Sequence, residues 1–241
     1  MRDTQPHSFD IEALVERQLR QWELGLSARA PDDAPEVNPF IAISRQVGAG
    51  ASAIAAGLGA SLGWPVFDRQ ILQAMSESDT LRQRLYEQLD ERDATWLEGM
   101  PESLLLTDRP RDYRTRLTET LLAIVRVGPA ILLGRAADLI LPHEFGLRVR
   151  IVAPFDVRVQ RHAAEQNIAY PSARRAVARI DRERAEFIRR HFRRSVDDPL
   201  RFDLILNTDR FAPESARQLI LAALERCDSV RSAEKHASPV V

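Results

Sequence analysis

Apolar residues occur along the chain in five short runs, and the stretches between them carry apolar residues at intervals of three and four. The runs cover residues 40–44, 64–67, 130–133, 147–152 and 203–206. A short apolar run bounded by turn residues is typical of a buried strand, whereas the longer spacing is typical of an amphipathic helix. In the fourth run, Arg148 and Arg150 alternate with apolar residues, which predicts one partly exposed face. The alternation of strands and helices indicates an α/β domain.

The predicted helices differ in length and character. Residues 52–62 form a helix of small and apolar residues that ends at Gly63, and another helix begins at residue 71. Residues 76–128 have helical spacing before the third strand and are interpreted as a helical insertion. A helix that starts at Pro154 is expected to break at 170–172, within an arginine-rich helical region over residues 168–196, and residues 213–227 form the closing helix.

A separate segment precedes the first strand. Residues 9–26 have the spacing of an amphipathic helix, and acidic residues interrupt its basic ones. We therefore expect this helix to pack against the domain or a second subunit rather than a membrane surface. Residues 30–36 form a proline-rich acidic linker. The predicted organisation is an arm and linker over residues 1–38, one domain over residues 39–227 and a disordered tail over residues 228–241.

Composition limits the classes of protein. At 241 residues, with 44% hydrophobic and 29% charged residues, the chain can bury one sizeable core. A net charge of −1 argues against a nucleic-acid binder that uses a broad basic surface. The sequence has no apolar run long enough to span a bilayer and no apolar secretion signal at its start. A cytoplasmic protein that binds neither nucleic acid nor membrane is therefore expected.

Two residue counts restrict the chemistry of a site. The chain has one cysteine, Cys227, which excludes an internal disulfide framework and a cysteine-based metal cluster. Its only lysine is Lys235, in the polar tail. The cations of an active site are therefore expected to be arginines, whose planar guanidinium groups suit bidentate contacts to phosphate.

A glycine turn between the first strand and the first helix predicts an anion site, because glycines let backbone N–H groups turn toward an anion at a helix N-terminus. Two motifs fit it in part. Gly48, Gly50 and Ala53 match G-x-G-x-x-A, with Asp68 about twenty residues on, as in a dinucleotide-binding fold. Residues 50–52 instead match the last three places of G-x-x-x-x-G-K-[ST], with Ala51 in place of the lysine.

The rest of the chain favours the phosphate-loop alternative. The helical insertion is too long for the crossover of a dinucleotide-binding fold. Arg135 follows the third strand directly, at the edge of a parallel sheet where ligands bind, and is well placed to hold a phosphate. In the arginine-rich region, Arg179, Asp181, Arg182 and Arg184 lie within two helical turns and can project some side chains toward one ligand.

The strand end 43–45, the glycine turn 48–52 and the segments 62–69, 133–138 and 202–208 occur in an order that resembles the cytidylate kinase-like bacterial family of nucleoside monophosphate kinases. The resemblance covers about residues 39–226. It implies a three-layer P-loop fold with a five-stranded parallel sheet, a helical monophosphate-binding insertion over residues 76–128 and a helical lid over residues 168–196. The N-terminal arm lies outside it.

The resemblance also implies roles for single residues. The phosphates of ATP would be wrapped by Gly48, Ala49, Gly50, Ala51 and Ser52, with the Ser52 hydroxyl at Mg²⁺ and Asn207 near the donor base. The acceptor would lie near Asp68 and Arg69. Arg135 would grip its phosphate, and Asp181 and Arg184 would take the lid's acidic and basic positions.

Two departures from the family pattern bear on activity. The lysine of the phosphate loop is missing, which leaves phosphate charge to Arg45, Arg182 and Arg184. Leu133 precedes Gly134 where cytidylate kinases have an aspartate, which leaves Asp68 or Asp138 as acidic residues near a metal.

These residues lead to one main hypothesis and two alternatives. The main hypothesis is ATP-dependent phosphoryl transfer, with Mg²⁺, to a small acceptor such as the nucleoside monophosphate CMP. The alternatives are a nucleotide-binding regulatory module with weak or no kinase activity and, less favoured, an NAD(P)-binding oxidoreductase. The N-terminal helix is a candidate element for a homodimer.

Overall fold

The structure is a computed structural model that describes residues 37–69, 71–72 and 113–227, without the side chains of Tyr113 and Arg114. The predicted N-terminal arm and linker, most of the helical insertion and the C-terminal tail lie outside these residues.

Five strands form one parallel sheet. They are β1 (Phe40–Arg45), β2 (Val66–Phe67), β3 (Ala130–Leu133), β4 (Gly146–Val152) and β5 (Leu204–Asn207). Their spatial order is β2-β3-β1-β4-β5, and every neighbouring pair is parallel. In a dinucleotide-binding fold β2 lies beside β1, whereas here β3 lies between them. The order therefore argues against the oxidoreductase alternative.

Six α-helices accompany the sheet in the described part of the chain. They are α1 (Ala51–Leu62), α2 (Tyr113–Val127), α3 (Ala137–Ile140), α4 (Phe155–Gln166), α5 (Tyr170–Phe192) and α6 (Pro213–Arg226). Short 3-10 helices cover His143–Phe145 and Pro199–Arg201. The five-stranded parallel sheet with its helices confirms the predicted α/β fold.

The sheet separates two hydrophobic cores, which makes the fold three-layered. In β1, Phe40 and Ala42 pack with α2 and α3, whereas Ile41 and Ile43 pack with α1 and α6. Successive residues of a strand point to opposite faces, so a strand covered on both faces is apolar, as residues 40–43 of β1 and all of β3 are. Burial of each large side chain contributes roughly 1.5–3 kcal/mol.

Two local expectations need correction. Residues 170–172 were expected to break a helix, but α4 ends at Gln166, Asn167 is left-handed with φ of 50°, and Tyr170-Pro171 begins α5. A proline suits the first helical turn, where its missing N–H has no partner to lose. The partly exposed face expected for β4 is present at Arg148 and Val152, which are half-buried, but Arg150 on the same face is only 5% exposed.

The carboxyl ends of the strands gather the loops that carry candidate chemistry. The glycine turn follows β1, Gly134 and Arg135 follow β3, and Thr208 follows β5. Ligands of open parallel sheets bind at this edge. None of the helices in residues 37–69, 71–72 and 113–227 is long and apolar enough to cross a membrane.

Candidate functional site

The glycine turn presents backbone N–H groups at the N-terminus of α1. Gly48 and Gly50 have φ of 73° and 76°, in the left-handed region that glycine adopts without strain. Gly50 is the N-cap residue of α1, and no side chain makes a capping hydrogen bond there. Among the described residues, no backbone hydrogen bond uses the amide of Gly48 or Gly50. The turn therefore offers donors and the positive end of a helix dipole to an anion.

Gly48 also permits close packing against α4. A Cβ at residue 48 would overlap the carbonyl oxygen of Arg158. The Arg158 side chain is buried, and its Nε donates to the carbonyl of Ala153 at 2.9 Å. Its Nη1 donates to the carbonyl of Val47 at 3.2 Å. Arg158 thus holds the turn from the side of α4.

Helix α5 contacts the same turn at two points. Asp181 Oδ1 accepts from the amide of Val47 at 3.3 Å, and its Oδ2 pairs with Arg158 Nη1 at 2.5 Å. One turn later, Arg184 Nη1 donates to the carbonyl of Arg45 at 3.0 Å. The helix expected to carry lid residues is thereby bonded to the backbone of the glycine turn.

The turn after β3 has an unusual backbone. Gly134, Arg135 and Ala136 have φ of 88°, 54° and 57°. The left-handed conformation costs non-glycine residues about 1–2 kcal/mol each. A side chain at residue 134 would overlap the Arg45 guanidinium, so Gly134 leaves room for Arg45. Strain of this kind is concentrated at functional sites.

A cavity of about 460 Å³ lies between this turn, the end of β1 and α5. Six arginines line it: Arg45, Arg69, Arg135, Arg150, Arg182 and Arg184. Four carboxylates also line it, and each has an ion-pair partner: Asp138 with Arg201, Asp181 with Arg158, Glu183 with Arg179 and Asp197 with Arg150. Three of these partner arginines, Arg201, Arg158 and Arg179, do not line the cavity, so the carboxylates that they neutralise do not offset the charge of the six lining arginines. The cavity is therefore strongly positive and suits an anion.

The pKa values of the arginines reflect this crowding. Burial, together with the charges of Arg184, Arg69 and Arg135, lowers the pKa of Arg45 to about 9, and the Asp68 carboxylate only partly opposes this. Burial likewise lowers the pKa of Arg184 below its ordinary value, against the opposing charge of Asp181. A bound anion would stabilise the charged form of both groups.

A second cavity, of about 340 Å³, lies at the glycine turn. Ala49 and Gly50 line it together with Arg161, Thr208 and Phe211. Arg161 donates to the hydroxyl and the carbonyl of Thr208, at 3.1 and 2.8 Å, and the Thr208 hydroxyl donates to the carbonyl of Ala49 at 2.9 Å. The segment from the end of β1 through the glycine turn thus lines both cavities: residues 44–46 line the larger one, and Ala49 and Gly50 line the smaller one.

The structure places the remaining sequence-predicted residues as follows. Asp68 caps the helical turn that follows β2, where its Oδ1 accepts from the amide of Ile71 at 3.0 Å. Arg69 and Arg182 are exposed at the arginine-lined cavity. Ser52 is exposed in the first turn of α1, between buried Ala51 and exposed Ala53. Asn207 Oδ1 accepts from the amide of Asp209 at 3.0 Å.

Asp138 occupies a closed position. Its Oδ2 accepts from Arg201 Nη2 at 2.5 Å and from Arg201 Nε at 3.2 Å, and both residues are at most 5% exposed. Among the described residues, no group of three or more His, Cys, Asp or Glu side chains is arranged to hold a metal ion. An Mg²⁺ ion in this part of the chain would depend on phosphate oxygens, water and single side chains, which is common for this ion.

Sequence analysis did not select several residues of the site: Arg150, Arg158, Arg161 and Thr208. A signal was present for Arg150, which stands between Val149 and Ile151 in a strand near the centre of the sheet. A charged residue in such a place needs a partner. The contacts of Arg158 with Val47 and Asp181 join segments 111 and 23 residues apart, which no sequence pattern indicates.

Comparisons with known proteins agree with this arrangement. Residues 40–210 match the family described as cytidylate kinase-like. A solved structure of an uncharacterized protein from Eubacterium ventriosum ATCC 27560 is similar over 78% of this chain and 99% of its own, at 14% identity and a TM-score of 0.55. A structure from Thermus thermophilus covers 78% and 98% of the two chains, at 22% identity and a TM-score of 0.41. No curated protein matches.

The family match spans well over half of the chain and includes all five strands, the glycine turn and the arginines of the larger cavity. The similarity to the Eubacterium ventriosum structure supports the fold alone. On this basis the chain belongs to the cytidylate kinase-like family.

Proposed function

We propose that this protein transfers the terminal phosphoryl group of ATP to a small acceptor, most simply a nucleoside monophosphate such as CMP. The observation that carries the proposal is that one segment, from the end of β1 through the glycine turn, lines two cavities, one of them lined by six arginines. Phosphoryl transfer depends mainly on positioning and charge stabilisation, and an anion-binding turn beside clustered arginines suits both.

The donor would lie on the glycine turn. The amides of residues 48–52 would bind its phosphates, and its base would extend into the smaller cavity beside Thr208 and Arg161. Asn207, next to Thr208 in the chain, is proposed to lie near that base. The helix dipole of α1 favours negative charge at this position.

Mg²⁺ fits this site through Ser52, whose exposed hydroxyl lies in the first turn of α1. A bound ion would neutralise part of the phosphate charge there. Asp68 and Asp138 are the carboxylates proposed to lie near the ion. Asp138 would have to exchange its bond to Arg201 before it could contact a metal.

The acceptor would lie in the larger cavity. We propose that Arg135 binds the acceptor phosphate and that Asp68, Arg69 and Asp181 contribute to the acceptor side. An acceptor oxygen attacks the terminal phosphorus, the bond from that phosphorus to the bridging oxygen breaks, and ADP leaves. Arg45, Arg182 and Arg184 would stabilise the charge on the migrating group, in place of the missing lysine.

The test is release of ADP from ATP and Mg²⁺ with a panel of nucleoside monophosphates. Turnover with at least one acceptor is expected, and Arg135→Ala should reduce it roughly a thousandfold. The matched control is Arg174→Ala, because Arg174 is an exposed arginine paired with Asp156 outside the cavity. Equal activity of Arg135→Ala and Arg174→Ala would remove Arg135 from the mechanism.

Calorimetry distinguishes the regulatory alternative. Tight ATP binding without turnover on any acceptor would assign the protein to a nucleotide-binding module. The absent lysine and the closed position of Asp138 are the observations that keep this alternative in the test.

A further inference from the structure

Arg150 is a buried cation on β4 that lines the larger cavity. It lies on β4 directly beside Ser44 of β1, so the two side chains share one face of the sheet. Arg150 is 5% exposed and lines the cavity. A guanidinium removed from water in this way needs strong acceptors.

The contacts of Arg150 are weak for a buried cation. Its Nη1 donates to the neutral Ser44 hydroxyl at 2.7 Å, and its guanidinium lies 5.8 Å from the Phe202 ring centre. Its ion pair is with Asp197, whose Oδ1 is 3.3 Å from Nη2. That distance is at the long end for a charge-assisted hydrogen bond.

Asp197 is too exposed to form a permanent structural ion pair with Arg150. Its side chain is 77% exposed, so water and salt compete for its charge. The nearby pair of Asp138 and Arg201 is different, because both side chains are at most 5% exposed and the two atoms are 2.5 Å apart. Arg150 is therefore a buried cation with an exchangeable carboxylate.

The pKa of Arg150 agrees with incomplete compensation of its charge by Asp197. Burial lowers the pKa of Arg150 below its ordinary value despite the opposing charge of Asp197. The charge of Arg150 in turn contributes to the lowered pKa of Arg184. Arg150 and Arg184 thus act on the same part of the cavity.

We propose that Arg150 and the Ser44 hydroxyl form a second anion subsite in the larger cavity, that Asp197 occupies it in the absence of substrate, and that a second phosphate of the acceptor replaces Asp197. The acceptor class is then a small phosphorylated molecule with two separate phosphate groups, such as a nucleoside bisphosphate. This step rests on the proposed function for the statement that the cavity receives the acceptor.

The first test uses inorganic phosphate and needs no turnover. Asp197→Ala removes the competing carboxylate and should bind phosphate about tenfold more tightly than the wild type by calorimetry. Asp156→Ala is the control, because Asp156 is 70% exposed and pairs with Arg174 at 3.2 Å outside the cavity. It should leave the affinity unchanged. Equal effects of the two variants would overturn the proposal.

A double variant separates a specific site from a general loss of negative charge. Arg150→Gln in the Asp197→Ala background should abolish the gain in phosphate affinity, and a retained gain would overturn the proposal. Far-ultraviolet dichroism first checks that the double variant folds. If it does not, the comparison of Asp197→Ala with Asp156→Ala decides the question alone.

The second test compares the four ribonucleoside 5′-monophosphates with their 3′,5′-bisphosphates. The wild type should bind a bisphosphate more tightly than the matching monophosphate, and Arg150→Gln should lose this preference. Equal affinities in the wild type would overturn the proposal. Preferential bisphosphate binding without turnover on any acceptor would instead contradict the proposed kinase function and leave the subsite in place.

Discussion

The guanidinium of Arg45 lies in the space that a side chain at Gly134 would fill, so a residue at the end of β1 is fitted to the turn after β3. Gly134 also has φ of 88°, which disfavours any other residue. The two strands are neighbours in the sheet. Steric fit at one glycine therefore sets where one cation of the larger cavity lies.

Gly134→Ala should displace Arg45 and weaken binding of inorganic phosphate at least tenfold, as measured by calorimetry. Gly63→Ala is the control, because Gly63 has φ of 67° and open space around it. Both variants should lose about 1–2 kcal/mol of stability from backbone strain. Only the first should lose phosphate affinity, and a parallel loss in both would contradict the steric argument.

Phosphate binding should weaken as the pH rises through about 9, because burial and neighbouring arginines lower the pKa of Arg45 to about 9. Above that pH, free Arg45 loses its proton, and binding of an anion must take the proton up again. Calorimetry in buffers of different ionisation enthalpy measures this uptake. Arg45→Gln should show no uptake near pH 9.

The same lowered pKa predicts the sign of a stability change. The unfolded chain holds the Arg45 proton up to its ordinary, higher pKa, whereas in the folded protein burial lowers that pKa to about 9. The unfolded state therefore binds more protons between these values, so the Arg45 contribution to stability increases with pH in that window. The difference between wild type and Arg45→Gln, measured by urea unfolding at pH 8 and 10, isolates this contribution.

The pair of Asp138 and Arg201 should contribute strongly to folding. Arg201→Met leaves the Asp138 carboxylate buried without its cation, and the expected loss is about 3–5 kcal/mol in urea unfolding. Glu225→Gln is the control, because Glu225 and Arg226 form an exposed pair at 3.8 Å. That change should cost less than about 0.5 kcal/mol. Similar losses of stability in both variants would mean that burial does not strengthen the contribution of the pair of Asp138 and Arg201 to folding.

Asp181→Asn should loosen the contact between α5 and the glycine turn. The amide of Val47, which donates to Asp181 Oδ1, is the reporter, and its hydrogen exchange should become at least tenfold faster. Glu183→Gln is the control on the same helix, because Glu183 forms an exposed pair with Arg179. Unchanged protection of Val47 in Asp181→Asn would show that other contacts hold α5 in place.

Thr208→Val should raise the KM for ATP several-fold with a smaller effect on the acceptor. The change removes the hydroxyl that links Arg161 to the carbonyl of Ala49, and it leaves both groups short of a partner. Thr120→Val is the control, because the buried Thr120 hydroxyl donates to the carbonyl of Arg116 within α2. It should reduce stability and leave the KM for ATP unchanged.

The sequence predicted the sheet well because each central strand is a short apolar run between turn residues. It predicted the location of Arg135 because a residue directly after a parallel strand must lie at the ligand-binding edge. It misjudged Arg150, since alternation of arginine with apolar residues is typical of an exposed face. Here α5 and the segment around Asp197 approach that face, and only the tertiary structure contains this information.

The contacts of α5 were unpredictable for a related reason. Asp181 and Arg184 were selected for the spacing of charges on one helix, and that spacing says nothing about their distance from the glycine turn. The Asp181 bond to Val47 spans 134 residues of sequence. Such long-range pairs follow from the packing of α4 and α5, which the sequence pattern leaves open.

The left-handed run from Gly134 to Ala136 has a consequence for directed evolution of this protein. Arg135 holds a conformation that glycine or asparagine adopts at lower cost, so replacement of Arg135 by either would relieve strain and remove a cation at once. Selection for heat resistance alone would therefore favour variants that lack this cation of the larger cavity. Improvement of this scaffold requires that stability and phosphate affinity are selected together.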